Sequence, residues 1–275
     1  MARSSKEGSY TSPDVMETLR WVYRGLLVFV VLAGGLYLFH ETEQFLISDA
    51  RFVFAGPPEY GMDPPTLQIQ GSAYASHKEI IGAFSADFGK SLYLLPVTER
   101  RESLRKIEWV KDATVARFWP NQILVRIEER VPLALVHADA TKGWLVDIEG
   151  VLLRIPAQYQ TNVPNVKGIG VKDTLAQRAE RVKRMLRVIR DSGRHGSQFT
   201  MVDVSDMDNV KVVLPIMDRT VTLLLGGKNF QSRLDGFETS FLRVHREMPT
   251  DHVFDLRLDG RISNVPESGP EGKGH

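Results

Sequence analysis

The sequence predicts an α+β protein carried on a single membrane-spanning helix, and three patterns in it do so. Trp21 to Phe39 is apolar apart from polar Arg24, Gln122 to Glu129 alternates polar and apolar residues, and Asp173 to Ser192 carries apolar residues at spacings of 4, 3, 4 and 3. These are the periods of a bilayer helix, a half-buried strand and an amphipathic helix. Composition narrows the function classes: the 275 residues hold 35 Lys+Arg against 34 Asp+Glu, a net charge of +1, which removes the electrostatic case for a nucleic-acid binder. The chain has no cysteine, so disulfides, Cys-ligated zinc and thiol catalysis are excluded.

At a rise of about 1.5 Å per residue, Trp21 to Phe39 spans about 28 Å, close to the hydrocarbon thickness of a bilayer. The anchor is read on Trp21, Arg24, Leu27, Val31, Leu36 and Phe39, with Trp21 at one interface and Arg24 snorkelling to the headgroups. Residues 1–24 hold Arg3, Lys6, Arg20 and Arg24, whereas residues 40–59 hold only Arg51. The positive-inside rule therefore predicts a cytoplasmic N-terminus and an extracytoplasmic remainder. An uncleaved anchor is preferred to a cleaved signal peptide, because His40-Glu41-Thr42-Glu43 follows where small residues would mark cleavage.

The expected organisation is a tail over 1–20, the helix over 21–39, a stiff Pro/Gly connector over 40–64, a first domain over 65–131, a second over 132–263, and a disordered tail over 264–275. In the first domain a short strand at Thr66 to Gln70 precedes a capping box at Ser76 and Glu79, whose helix presents Ile80, Ile81, Phe84 and Phe88. A second helix follows over Thr98 to Ile107. Strands at Ala113 to Trp119 and Gln122 to Glu129 are joined across Pro120-Asn121, which completes the order β-α-α-β-β.

In the second domain, strands are predicted at Leu133 to His137, Gly143 to Val146 and Val151 to Ile155, with a turn at Asp147 to Gly150. A helix over Asp173 to Ser192 buries Leu175, Ala179, Val182, Leu186 and Ile189, and leaves Arg178, Arg181, Lys183, Arg184, Arg187 and Arg190 on a solvated face. Strands at Thr200 to Val204, Lys211 to Leu214 and Thr220 to Leu225, a helix over Phe230 to Arg246, and a last strand over Val253 to Ile262 complete the mixed α/β pattern.

The run Ile107 to Ala134 resembles the POTRA domain of the FtsQ/DivIB family of bacterial cell-division proteins. The likeness rests on Trp109-Val110-Lys111, the Trp119-Pro120 turn and Glu129-Arg130-Val131-Pro132-Leu133-Ala134. Downstream, Val146-Asp147-Ile148-Glu149-Gly150 resembles the family's Val-Asp-x-x-Gly hairpin, and Asp255-Leu256-Arg257 its Asp-Leu-Arg. The resemblance implies a single-pass inner-membrane protein of the division septum, with a POTRA domain followed by the family's C-terminal β domain. Its implied role is a non-enzymatic scaffold that binds FtsB/DivIC-like and FtsL-like membrane proteins, and other early division proteins through POTRA, linking them to septal peptidoglycan synthesis.

The mode it implies is strand addition at the last strand, with partner contacts on Leu258, Asp259, Gly260, Arg261, Ile262 and Ser263. Leu258 stands where the family has a tyrosine. A competing class is a membrane-anchored POTRA chaperone or translocation adaptor for exported polypeptides, which further POTRA repeats or a barrel would favour.

Catalytic and metal-binding residues are not identified. His245 and His252 flank Pro249 as ordinary surface histidines, Gly226-Gly227-Lys228 lacks the P-loop spacing, and Asp203, Asp206 and Asp208 lack the central Gly and terminal Glu of a calcium loop. An anchored cell-wall hydrolase would need a catalytic cluster. Neither cofactor nor nucleic acid is expected.

Overall fold

Helix α1 (Val15–Ser48) is followed by twelve short strands and four further helices in a computed structural model that describes residues 15–57, 63–139, 142–160, 162–216, 219–242, 253–258 and 260–265. Two compact units divide the chain. The first takes the chain up to Gln70 with Ile80–Glu102 and Thr114–Arg126; the second takes Gly71–Glu79, Ser103–Ala113 and the chain from Ile127 onward.

The helix α1 is the described element long and apolar enough to cross a membrane. Trp21, Arg24, Leu27, Val31, Leu36 and Phe39 all lie on it and are exposed, with the Arg24 guanidinium 5.6 Å from the Trp21 ring. It continues nine residues beyond Phe39, because the segment after Phe39 is itself helix-compatible and Thr42 donates its hydroxyl to Leu38 O at 2.7 Å. Part of the expected connector is therefore rigid helix. Beyond it the chain is packed rather than free: Val53 bridges Ser91, Phe54 N–H donates to Lys90 O, and Phe54 is buried against Phe84 and Phe88 at ring distances of 6.1 and 4.9 Å.

Strand β1 (Leu67–Gln70), α2 (His77–Gly82), α3 (Val97–Leu104), β2 (Val110–Phe118) and β3 (Gln122–Glu129) follow in the predicted β-α-α-β-β order. The sheet order is β1-β3-β2, with β1 parallel to β3. Ile123, Val125 and Ile127 are buried on one face of β3, as their alternation requires. Helix α2 is shorter than expected. Ser76 Oγ accepts from Glu79 N at 3.3 Å to cap its start, but the chain turns after Gly82, so Phe84 and Phe88 reach the core from a run of turns.

In the second unit, β4 (Ala134–Asp139), β5 (Lys142–Val146), β6 (Leu152–Arg154), β7 (Asn165–Lys167), β8 (Met201–Asp203), β9 (Val210–Ile216), β10 (Arg219–Gly226), β11 (Val253–Asp255) and β12 (Ser263–Asn264) form one sheet. Among the described residues its order is β12-β11-β10-β9-β8-β7-β4-β5-β6. Parallel neighbours need crossovers, and α4 (Leu175–Asp191) lies between β7 and β8 while α5 (Phe230–Phe237) lies between β10 and β11.

A Thr174–Gln177 capping box starts α4. Its buried face is centred on Val182, Met185 and Val188, one step around from the expected stripe, and Leu175 in the first turn is exposed. Nor are its arginines simply solvated. Arg178 Nε donates to Gly150 O at 2.7 Å, Arg181 pairs with Asp173 at 2.6 Å, and Arg184 donates to Gly227 O at 3.0 Å over the Phe230 ring. Long guanidinium stems reach orphan carbonyls that a helical wheel does not display.

Candidate partner-binding edge

Strand β11 runs parallel to β10, pairing Thr222 with Val253 and Leu224 with Asp255, and Leu256 N–H extends that ladder to Leu224 O at 3.0 Å. The expected single strand over Val253 to Ile262 stops there. The Asp255 carboxylate accepts from Arg257 N at 3.0 Å and from its guanidinium at 2.6 Å, which turns the chain out of the sheet. Arg261 N–H donates to Leu258 O at 3.1 Å, and Gly260 takes φ +75°, a left-handed conformation that glycine adopts without strain. The chain then returns as β12, antiparallel to β11, and so occupies the outermost position of the sheet.

The return places the sequence-predicted contact residues in different settings. Leu256 is buried, Leu258 is 64% exposed, Asp259 lies outside the described residues, and Gly260 and Arg261 are on the exposed turn. Ile262 packs against the hydrophobic core, and Ser263 alone of the six belongs to a strand. Leu258, Arg261 and Ile262 line a shallow groove with Ser232, Gly236 and Phe237 of α5. Beneath it Phe237 meets Phe254 at 5.3 Å.

Register identifies the backbone groups at the edge. Asp255 pairs with Ser263, Phe254 with Asn264, and Val265 N–H donates to Val253 O at 3.0 Å. Backbone groups alternate sides along a strand, so those of Ser263 and Val265 face β11 and those of Asn264 face outward. Asn264 falls in the expected disordered tail yet is a strand residue, since a two-residue strand after Gly260 carries no alternation.

The opposite edge is capped at Arg154. Trp109 Nε1 donates to Arg154 O at 3.1 Å, Glu108 Oε1 accepts from Arg154 N, and Glu108 Oε2 pairs with Arg154 Nε at 3.0 Å. Both outward backbone groups of Arg154 on β6 are thus satisfied by side chains, a protection against unwanted edge pairing. Sequence reasoning used Trp109 as a motif residue but missed this role, which depends on contacts 45 residues apart.

One further cluster combines metal-ligand types among the described residues. His195 Nε2 lies 2.9 Å from Asp235 Oδ1 and 3.8 Å from Glu238 Oε2. Arg194 bonds both carboxylates, at 3.3 and 2.5 Å, so each already has a cationic partner. Hydrogen bonding from His195, then Arg194, holds the Asp235 carboxyl below its ordinary range. His245 and His252 lie outside the described residues. The aspartates of the turn cap backbone instead: Asp203 accepts from Ser205 N at 2.9 Å and Asp206 from Asp208 N at 3.0 Å.

Residues 65–130 match the family model described as POTRA domain, FtsQ-type. Over 211 residues the chain is 29% identical to the cell division protein FtsQ of Koribacter versatilis, covering 74% of this chain and 60% of that protein. It is 24% identical to the FtsQ of Syntrophotalea carbinolica, over 76% of each chain, and 40% identical to that of Bordetella pertussis over 62 residues, 22% of this chain and 23% of that one. This is an FtsQ-like chain.

The FtsQ-like motifs have structural reasons. Glu129 Oε1 accepts three consecutive backbone donors, from Ala73, Tyr74 and Ala75 at 2.9, 2.7 and 2.6 Å. Arg130 Nη1 bonds Asp147 at 2.7 Å and Glu149 at 2.8 Å, and hydrogen bonding from Arg130 is the main cause holding the Glu149 carboxyl below its ordinary range. Asp147 Oδ1 accepts from Glu149 N and Val151 N, shaping the hairpin. Gly150, at φ +81°, lets that hairpin meet α4: a Cβ there would lie 2.6 Å from Ala179 N. Asp255 and Arg257, already described, complete the set.

Proposed function

We propose that this chain is a non-enzymatic cell-division scaffold, anchored in the inner membrane by α1 with its N-terminus in the cytoplasm, that binds an FtsB/DivIC-like partner as a strand added along β12. FtsL-like proteins join through that partner, and the POTRA domain recruits other early division proteins at the septum. The observation that carries the reading is the asymmetry of the sheet. At β6 the outward groups of Arg154 are capped by Glu108 and Trp109, whereas the outward groups of Asn264 on β12 meet no partner among the described residues. An open antiparallel edge supplies donors and acceptors in register for another chain, and the groove beside it offers a seat for alternate side chains.

The test is a titration of the detergent-solubilised full chain with the extracytoplasmic segment of the same organism's FtsB/DivIC-like protein, repeated with Asn264→Pro. Proline removes the outward donor while leaving the β11–β12 hydrogen bonds intact. The expected result is saturable binding that weakens at least about tenfold in the proline variant with its circular dichroism unchanged, which corresponds to about 1.4 kcal/mol. A folded wild-type chain that shows no saturable binding overturns strand addition.

A further inference from the structure

Phe45, near the end of α1, meets Phe52 edge-on at 5.7 Å, and Phe52 meets Trp119 edge-on at 5.6 Å. The first unit also leaves Phe45, Leu94, Phe118 and Trp119 about half exposed, at 48, 51, 53 and 51%. The group is fixed to the helix: Ser91 Oγ donates to Leu46 O at 2.6 Å, and the 3-10 turn Leu92–Leu94 follows directly. Arg51 lies over two of the rings, 5.3 Å from Phe45 and 6.0 Å from Phe52, where Asp49 pairs with it at 2.9 Å. A Phe45–Phe52–Trp119 ladder with exposed ends, beside other exposed apolar side chains, marks an interaction surface.

Continuity with α1 identifies what covers it. Phe45 follows the apolar run by six residues, about 9 Å of helix, and helical side chains lean toward the N-terminus, which here is toward the bilayer. The headgroup layer extends about 5–8 Å beyond the hydrocarbon on each side. The Phe45 ring therefore falls in that layer, and the ladder to Trp119 begins there. Trp and Tyr are the residues enriched at this depth, and Trp119 ends the ladder.

We propose that this aromatic collar is a second membrane contact. Phe52, Leu94, Phe118 and Trp119 seat in the headgroup layer of the leaflet from which α1 emerges. The first unit is thereby docked on the bilayer at a defined height. The inference rests on α1 spanning the membrane, and its test separates the two.

Because the chain has no cysteine, single cysteines report one site each. Leu32→Cys, Leu94→Cys and Phe118→Cys are labelled with an environment-sensitive fluorophore in the full chain in nanodiscs containing anionic phospholipid, and quenching by headgroup-level and chain-level nitroxide lipids is compared. The expected result is strong chain-level quenching at 32, and headgroup-level quenching at 94 and 118 at least threefold above that of the fluorophore free in buffer. Adding Trp119→Asp to the Leu94→Cys chain returns position 94 to the buffer value. A quenched probe at 32 with positions 94 and 118 at the buffer value overturns the collar and leaves the anchor standing; a buffer value at 32 overturns the anchor and the collar with it.

Discussion

Asp255 turns the chain out of β11, and its ionisation is what lets it do so. Hydrogen bonding from the Arg257 side chain, with a backbone bond and Coulombic attraction adding to it, holds the Asp255 carboxyl below its ordinary range despite partial burial. A carboxyl whose folded pKa is depressed contributes stability that is present above its unfolded pKa, about 3.9, and is lost as pH falls through the folded value. The return to β12 should therefore hold at neutral pH and loosen in strong acid. Arg257→Leu is expected to raise the Asp255 titration midpoint and to cost about 1 kcal/mol at pH 7, with the difference from wild type lost as pH falls through the depressed Asp255 value. Carboxyl NMR titration and thermal melts between pH 2 and pH 7 check both. An unchanged midpoint would show that the pair does not set this carboxyl.

Strand β6 is capped at Arg154 because two side chains reach it from the segment before β2. Trp109→Phe keeps an aromatic ring and deletes the donor to Arg154 O; Glu108→Ala deletes the acceptor for Arg154 N. The double variant is expected to lose about 1–2 kcal/mol and to self-associate several-fold more strongly, because an open edge pairs with its like. Light scattering on the detergent-solubilised chain at fixed concentration measures it, and an unchanged mass together with an unchanged melting point would refute the protective role. Elements of this kind separate what was legible in the sequence from what was not. Gln122 to Glu129 was readable to the residue because Ile123, Val125 and Ile127 must share one buried face. Asn165–Lys167 escaped notice, since three residues between Pro164 and Gly168 hold no period and become a strand only by pairing with β4 and β8. The last strand was read too long for a related reason: Val253 to Ile262 is apolar enough to continue, but the Asp255–Arg257 turn and the left-handed Gly260 fold it back. The capped edge at Arg154 left no local signal at all.

At the scale of the whole molecule the question is which side of the membrane each part occupies. Helix α1 has 34 residues, about 51 Å, so it outruns a hydrocarbon core of about 30 Å and enters the first unit as one rigid rod. The proposed orientation rests on charge. Arg20 and Arg24 stand at the N-terminal flank, while Glu41 and Glu43 with no Lys or Arg between Phe39 and Ala50 stand at the other. Lys and Arg resist translocation far more than Asp and Glu favour it, so the arginines decide the outcome. With no native cysteine, Ser4→Cys and Leu258→Cys give one site on each side of the helix. An impermeant maleimide is expected to label position 258 in intact spheroplasts and position 4 only after lysis. Reversing the flank with Arg20→Glu and Arg24→Glu is expected to lower labelling at 258 to about half or less, as chains insert in the opposite sense. Labelling at position 4 in intact spheroplasts of the unmodified background would place the sheet and its β12 edge in the cytoplasm, where an extracytoplasmic strand could not reach it.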